Sequence, residues 1–214
     1  MTDHAFSEAE RRAVYRVIFA RRDMRKLVPG AVVDEEVLGR ILAAAHSAPS
    51  VGLMQPWRFI RITDSLLRKK IHALVDAERR RTAEALGERE DEFLALKVEG
   101  ILDCAELLVV ALGENRAAHV FGRRTMPYMD LASAACAVQN VWLAARAEGL
   151  GVGWVSIFEP AELGALLGMP GDAEPIAILC IGEVPEFPDR PQLEIDNWAR
   201  ARPLSEFVFE NGWG

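Results

Sequence analysis

Gln139-Asn140-Val141-Trp142-Leu143-Ala144-Ala145-Arg146-Ala147-Glu148-Gly149-Leu150-Gly151-Val152-Gly153-Trp154-Val155-Ser156-Ile157-Phe158 is the stretch on which the fold turns. Its first half closes an Ala-rich run from Met129 to Glu148, with Leu131, Ala135, Val138, Trp142 and Ala145 on one stripe, the pattern of a central helix. Its second half, Gly151 to Phe158, reads as a strand. The order is helix, glycine turn, strand. A dinucleotide-binding glycine fingerprint needs the reverse order, strand before and helix after, so Gly149-Leu150-Gly151-Val152-Gly153 is not one. Gly149 is expected to end the helix in the left-handed conformation, and the later glycines to allow close helix-to-strand packing.

Outward from this stretch, Glu106 to Gly113 is an apolar run suited to a buried strand, and Pro175 to Val184 reads as another after a short helix from Ala161 to Leu167. Trp57 to Ile62 alternates like a strand. Ser7-Glu8-Ala9-Glu10 is a capping box that opens a helix to about Ala20, and Asp34 caps a second helix carrying Val37, Leu38, Ile41, Leu42 and Ala45. Ser65 begins a long charged helix to about Leu86. Helices interleave with about four strands, with no repeat and no flexible linker, which gives one α+β domain over 1–214. The segment from about 185 to 214 holds Pro188, Pro191 and Pro203 and then an apolar end, Leu204 to Phe209. Such a tail packs on its own domain or reaches across to a second subunit.

Half of the 214 residues are hydrophobic, enough for a substantial core. Lys and Arg number 25 against 32 Asp and Glu, and the resulting charge of −7 argues against broad nucleic-acid binding. No charge-free apolar stretch approaches the roughly 18 residues of a membrane span. Met1-Thr2-Asp3-His4 lacks the basic-then-apolar order of a secretory signal, which points to a cytoplasmic location. Cys104, Cys136 and Cys180 sit in apolar surroundings as small core residues, and without a CxxC pair or spaced histidines no metal site is expected. GxxxxGK[ST], GxSxG and HExxH are absent, which removes the commonest NTPase, serine-hydrolase and metallopeptidase chemistries.

Arg21-Arg22-Asp23-Met24-Arg25-Lys26 packs five charges into six residues on the connection between the first two helices. Alone it reads as a solvated loop. Beside it stand the Pro/Gly-braced loop Ala48 to Trp57 and the late segment Trp198 to Leu204. Brought together, the three supply a phosphate clamp, amide and hydroxyl donors and an aromatic wall, the parts that hold a phosphorylated planar heterocycle. The charged stretch from about Thr82 to Glu99 is either plain surface or a mobile cover.

Arg21-Arg22-x-x-Arg25, Ala48-Pro49-Ser50 with Gln55-Pro56-Trp57-Arg58-Phe59, the Gly149 to Trp154 turn and the late Arg-x-Pro-Leu segment resemble, in matching order over nearly the whole chain, the nitroreductase-like flavoprotein family. Asp23 stands where general nitroreductases usually carry Ser or Thr. Arg21-Arg22-Asp23-x-Arg25, together with Ser50-Val51-Gly52-x-x-Gln55-Pro56-Trp57, Gln139-Asn140-x-Trp142 through Gly149, and Gly153 to Phe158, resembles the BluB branch, the 5,6-dimethylbenzimidazole synthases.

That resemblance implies a nitroreductase-like α+β fold with a central mixed sheet flanked by helices and an extended C-terminal arm. It also implies an intertwined homodimer with FMN at the subunit interface. In the BluB branch reduced FMN is the substrate and O2 the co-substrate, and the products are 5,6-dimethylbenzimidazole, the lower ligand of vitamin B12, and erythrose 4-phosphate. A separate flavin reductase would supply the reduced FMN. An FMN-dependent NAD(P)H nitroreductase or reductive dehalogenase is the alternative within the same family. The resemblance carries the flavin-contacting positions onto Arg21, Arg22, Asp23, Met24 and Arg25, and onto Ser50, Gln55 and Ser156, with either Arg200 or Arg202 as a second phosphate ligand. It gives Asp23 the part of catalytic proton acceptor, a part that a carboxylate among guanidinium groups suits. Ser156 is implied to hydrogen-bond the flavin near its reacting atoms, its alternative being a buried strand serine bonded to backbone. The Thr82 to Glu99 stretch takes the place of a lid.

Overall fold

Strand β2 (Glu106–Leu112) lies at the centre of the architecture, because all seven of its residues are buried. It pairs with β1 (Trp57–Arg61) on one side and β4 (Glu174–Gly182) on the other, and β3 (Gly151–Val155) completes the order β1-β2-β4-β3. These three pairings are antiparallel. The parallel component that makes the sheet mixed comes from a single bridge between Asp23 and Val152, along the free edge of β3. The computed structural model describes residues 4–213; Met1, Thr2 and Asp3, which entered the localisation expectation, lie outside the described residues.

Both faces of the sheet are covered, which is why β2 reads as an unbroken apolar run rather than an alternating one. Leu108, Val110, Leu179 and Ile181 meet α2 (Glu35–His46), with Leu38 and Ile41, and α5 (Met129–Ala147), with Val138 and Val141. Leu107, Val109, Ile178 and Cys180 face the opposite way, against Ile71 and Val75 of α3 (Ser65–Leu86) and Leu163 of α6 (Pro160–Leu166). Each such aliphatic side chain removed from water contributes about 1.5–3 kcal/mol.

Local chemistry sets the helix ends. At α1 (Glu8–Ala20) the capping box forms: the Ser7 amide donates to the Glu10 carboxylate at 2.8 Å and the Glu10 amide to the Ser7 hydroxyl at 3.4 Å. Asp34 accepts from the amides of Glu36 and Val37 to start α2, and Asp64 from that of Leu67 to start α3. Gly149, at φ +82°, ends α5 in the left-handed conformation.

The inward stripe of α5 differs from the expected one. Ala134, Ala137, Val138, Val141 and Ala145 are buried, whereas Leu131 and Cys136 are exposed. The helix is apolar nearly all round, so periodicity alone does not choose its inner face, and its own chain covers only one side. Helix α1 likewise buries no residue, and Phe19 is 73% exposed. The segment after Pro185 divides: residues up to Trp198 pack on their own chain, with Trp198 against Phe93, while 199–213 are exposed throughout, Trp213 at 96%. Among the described residues no helix is long and apolar enough to cross a membrane.

Candidate functional site

After α1 ends at Ala20 the chain runs extended along the edge of β3. The Met24 amide donates to the Val152 carbonyl at 2.9 Å. This approach needs glycine on the strand: a Cβ on Gly153 would stand 2.3 Å from the Met24 carbonyl oxygen, and one on Gly151 would stand 2.9 Å from Met24 Cγ. The two glycines therefore admit the Arg21–Arg25 segment rather than a helix, which refines their expected role. Met24 is 6% exposed, so its side chain serves mainly as the buried peg of the segment.

This contact fixes Asp23. Its Oδ1 accepts from the Trp154 amide at 3.0 Å and its Oδ2 from Arg25 Nε at 2.9 Å. The carboxylate is held through both oxygens, with its side chain 30% exposed. Arg21 places its guanidinium 4.9 Å from the centroid of the Trp142 ring, and the Trp142 indole donates to the same Val152 carbonyl at 2.8 Å. Arg22 donates to the carbonyls of Phe19, Arg21 and Asp189, while its buried Nε has no partner among the described residues. A buried donor left unpaired costs about 1–3 kcal/mol and is the kind of group a bound anion satisfies.

Two cavities open on Asp23 and Arg25. One of about 130 Å³ is walled by Arg21, Arg22, Gln192 and Leu193. The other, about 220 Å³, lies between Met24, Lys26, Lys97, Glu186 and Gln192. The roof comes from two segments distant in sequence. One is the short helix α7 (Gln192–Ile195), and the other is the stretch after α3, which continues through α4 (Glu90–Ala95). That charged stretch has an apolar underside: Ala83, Phe93, Leu96 and Val98 are buried against Ile157, Leu193 and Trp198. Arg89 stacks over Trp198, 3.6 Å from the ring centroid. Part of the expected lid thus lies over the Asp23 cavity.

The other expected residues are placed as follows. Ser156 is exposed just beyond β3, two residues after the amide that holds Asp23, and is not a buried strand serine. Arg202 turns to Glu206 at 2.6 Å, and both it and Arg200 are exposed in the tail, away from the two cavities. Ser50 and Gln55 lie in a strained loop in which Gly52, Leu53 and Gln55 all have positive φ, and the Gln55 amide donates to the Ser50 hydroxyl at 3.1 Å. This loop precedes β1, so it stands at the opposite edge of the sheet from Asp23, about 19 Å away by four strand spacings. Gln55 lines a separate cavity of about 260 Å³ with Arg58, Asn115 and Arg116. Within one chain the structure joins Arg21, Arg22, Asp23 and Arg25 and leaves Ser50 and Gln55 apart from them.

Sequence reasoning missed Lys97 and Gln192 as walls and Trp142 as the seat of Arg21. Trp142 stands in the sequence reading as a stripe residue of the central helix and as part of the resemblance motif, with no contact to Arg21 assigned, and no local pattern marks Gln192. Among the described residues no three His, Cys, Asp or Glu side chains gather as they would around a metal ion.

The nitroreductase family model matches residues 18–183. A protein of Rhodospirillum rubrum named 5,6-dimethylbenzimidazole synthase is 40% identical over 188 residues, 86% of this chain and 87% of that one. One of the same name from Rhodobacter capsulatus is 39% identical over 201 residues, 92% of this chain and 96% of that one. Among solved structures, a BluB-like flavoprotein from Clostridium difficile 630 superposes with a TM-score of 0.70 at 20% identity, covering 92% of this chain and 97% of that one. The segment that carries Asp23 and the strand that receives it both lie inside the matched region, and the chain belongs to the nitroreductase family, in the branch of the 5,6-dimethylbenzimidazole synthases.

Proposed function

We propose that this chain catalyses the O2-dependent oxidative fragmentation of reduced FMN to 5,6-dimethylbenzimidazole, with release of erythrose 4-phosphate. The relatives from Rhodospirillum and Rhodobacter that bear the synthase's name support the reaction. The observation that carries it to residues is Asp23, a carboxylate gripped through both oxygens among three arginines where two cavities meet.

The residues fit a flavin mononucleotide. Arg21, Arg22 and Arg25 offer guanidinium donors for phosphate and for an anionic ring, and the buried Arg22 Nε, without a partner among the described residues, is one such donor. Reduced FMN would supply the electrons for O2 and, from its dimethylbenzene ring and one ribityl carbon, the carbons of the product. The chain binds and orients it through the arginines, with Gln192 and Lys97 closing the site. Asp23 accepts a proton at a carboxylate oxygen, each oxygen keeping a free lone pair beside its one hydrogen bond. Ser156 donates its hydroxyl from the end of β3. The cover over Lys97 excludes bulk water.

Pockets for ligands of this size run to roughly 300–1,000 Å³, more than either Asp23 cavity provides. The rest is supplied by a second copy in a homodimer, whose loop bearing Ser50 and Gln55 completes the site and whose tail brings Arg200 or Arg202. The uncovered apolar faces of α1 and α5 and the exposed residues Leu204 to Phe209 support this assembly. A separate reductase delivers the reduced flavin.

Asp23→Asn tests the assignment. The variant should bind FMN within about threefold of the parent while benzimidazole formation falls roughly 10²–10⁴-fold, the usual contribution of a positioned base. Undiminished product from this variant sinks the role of Asp23. Rapid NAD(P)H oxidation without net flavin loss would instead move the chain to the nitroreductase or dehalogenase chemistry of its family.

A further inference from the structure

Arg25 touches two structures at once. Its Nε donates to Asp23 Oδ2 at 2.9 Å, and its NH1 donates to the Lys97 carbonyl at 3.3 Å. The side chain is 18% exposed; its bond to Asp23 is part-buried, whereas the one to the Lys97 carbonyl lies at the surface. Lys97 belongs to the strip 94–99, which runs between two hollows. On its inner side is the cavity of about 220 Å³ that opens on Asp23, and on its outer side is another of about 290 Å³ walled by His72, Asp76 and Arg79. Ala95 and Lys97 border both. Leu96 and Val98 anchor the strip in the cluster with Phe93, while its Ala95 and Lys97 positions border volume on both sides and have room to shift.

The strip is pinned from each flank by a guanidinium. From the outside Arg79 donates to the carbonyls of Leu94 and Leu96. From the inside comes Arg25, and its other bond ends on the proposed proton acceptor. The donors of a guanidinium point in fixed directions, so a change in where the Lys97 carbonyl lies alters the direction in which Nε meets Asp23.

We propose that Arg25 is a positioning residue that registers the Asp23 carboxylate against the covering strip, so that Asp23 takes its working orientation when the strip is seated. This rests on the reading of Asp23 as the proton acceptor. It adds that the site is coupled to its cover through one side chain.

Arg25→Lys separates this from a simple charge role, because lysine keeps the positive charge but lacks the two divergent donors. In the flavin-free full-length protein, amide hydrogen exchange over 94–99 should quicken by roughly tenfold in Arg25→Lys and in Arg25→Gln, the loss expected of one hydrogen bond. Coupling is mutual, so Asp23→Asn, which removes the charge that holds Arg25, should quicken exchange in the same strip. With saturating reduced FMN in air, Arg25→Lys should yield at least about tenfold less benzimidazole per flavin oxidised, a loss that saturation keeps separate from any weakening of flavin binding.

Parental exchange rates in Arg25→Lys and Asp23→Asn would overturn the coupling, and so would full rescue of product yield by lysine. Should Arg25→Gln fail to fold, Arg25→Lys and Asp23→Asn still decide. If the parent protein itself makes no benzimidazole, the reading of the site falls, while the exchange comparison still judges the Arg25 link separately.

Discussion

Asp23 and Trp154 stand 131 residues apart in the chain, yet the amide of one donates to the carboxylate of the other. That bond exists because Gly153 has no side chain. In Gly153→Ala the new methyl would meet the Met24 carbonyl, and backbone must shift on one side or the other. The expected cost is about 1–3 kcal/mol, read as a lower urea midpoint, together with weakened FMN binding because the Arg21–Arg25 segment leaves the edge of β3. Unchanged stability and unchanged flavin titration would show that the segment is held by something else. At this scale the sequence was partly legible. Arg21, Arg22, Asp23 and Arg25 read alone as a solvated loop and as a binding element only beside the other motifs, and the glycines marked a close approach. What approached them was not readable, because a bridge between Asp23 and Val152 is a long-range pairing that leaves no local period in either segment.

Elements defined by local chemistry match their sequence reading closely: α1 by its capping box, α2 by its Asp34 cap, α5 by its glycine stop; α3 also runs from Ser65 to Leu86 as expected, though its Asp64 cap is not part of that reading. The charged stretch after α3 was ambiguous because its few apolar residues, Phe93, Leu96 and Val98, have a partner surface only once Ile157, Leu193 and Trp198 arrive from elsewhere. Trp198→Ala should therefore loosen that stretch. It removes an aromatic that meets both Phe93 and Arg89, and faster proteolysis between 87 and 99 is the expected result. Between elements, Arg40 of α2 bonds Glu148 at the end of α5 and holds its carboxyl below the usual glutamate range. A carboxylate with a lowered folded-state pKa adds stability that is in place above its unfolded value near pH ~4.3 and is lost as pH falls through the lower folded value. Glu148→Gln should accordingly lower the urea midpoint slightly at neutral pH, and the difference from the parent should close below about pH 4. A difference that persists into acid would mean the pair acts through packing rather than charge.

For the whole molecule, the surfaces left bare by one chain are the informative ones. Leu131 and Cys136 on the outer face of α5, the whole of α1 and the tail beyond Trp198 are what a single chain does not cover. Periodicity placed Leu131 on the inner stripe and Cys136 in the core, which fails for one chain because α5 is apolar on both sides. Light scattering is expected to give twice the chain mass of 23.7 kDa, and Cys136 to resist thiol reagents until the assembly is dissociated. A 23.7 kDa particle with a readily labelled Cys136 would refute the shared site. The most direct test of the central claim is to mix the protein with chemically reduced FMN in air and identify the products by mass spectrometry. Net loss of flavin with 5,6-dimethylbenzimidazole appearing in its place is the predicted result; quantitative recovery of oxidised FMN would contradict it.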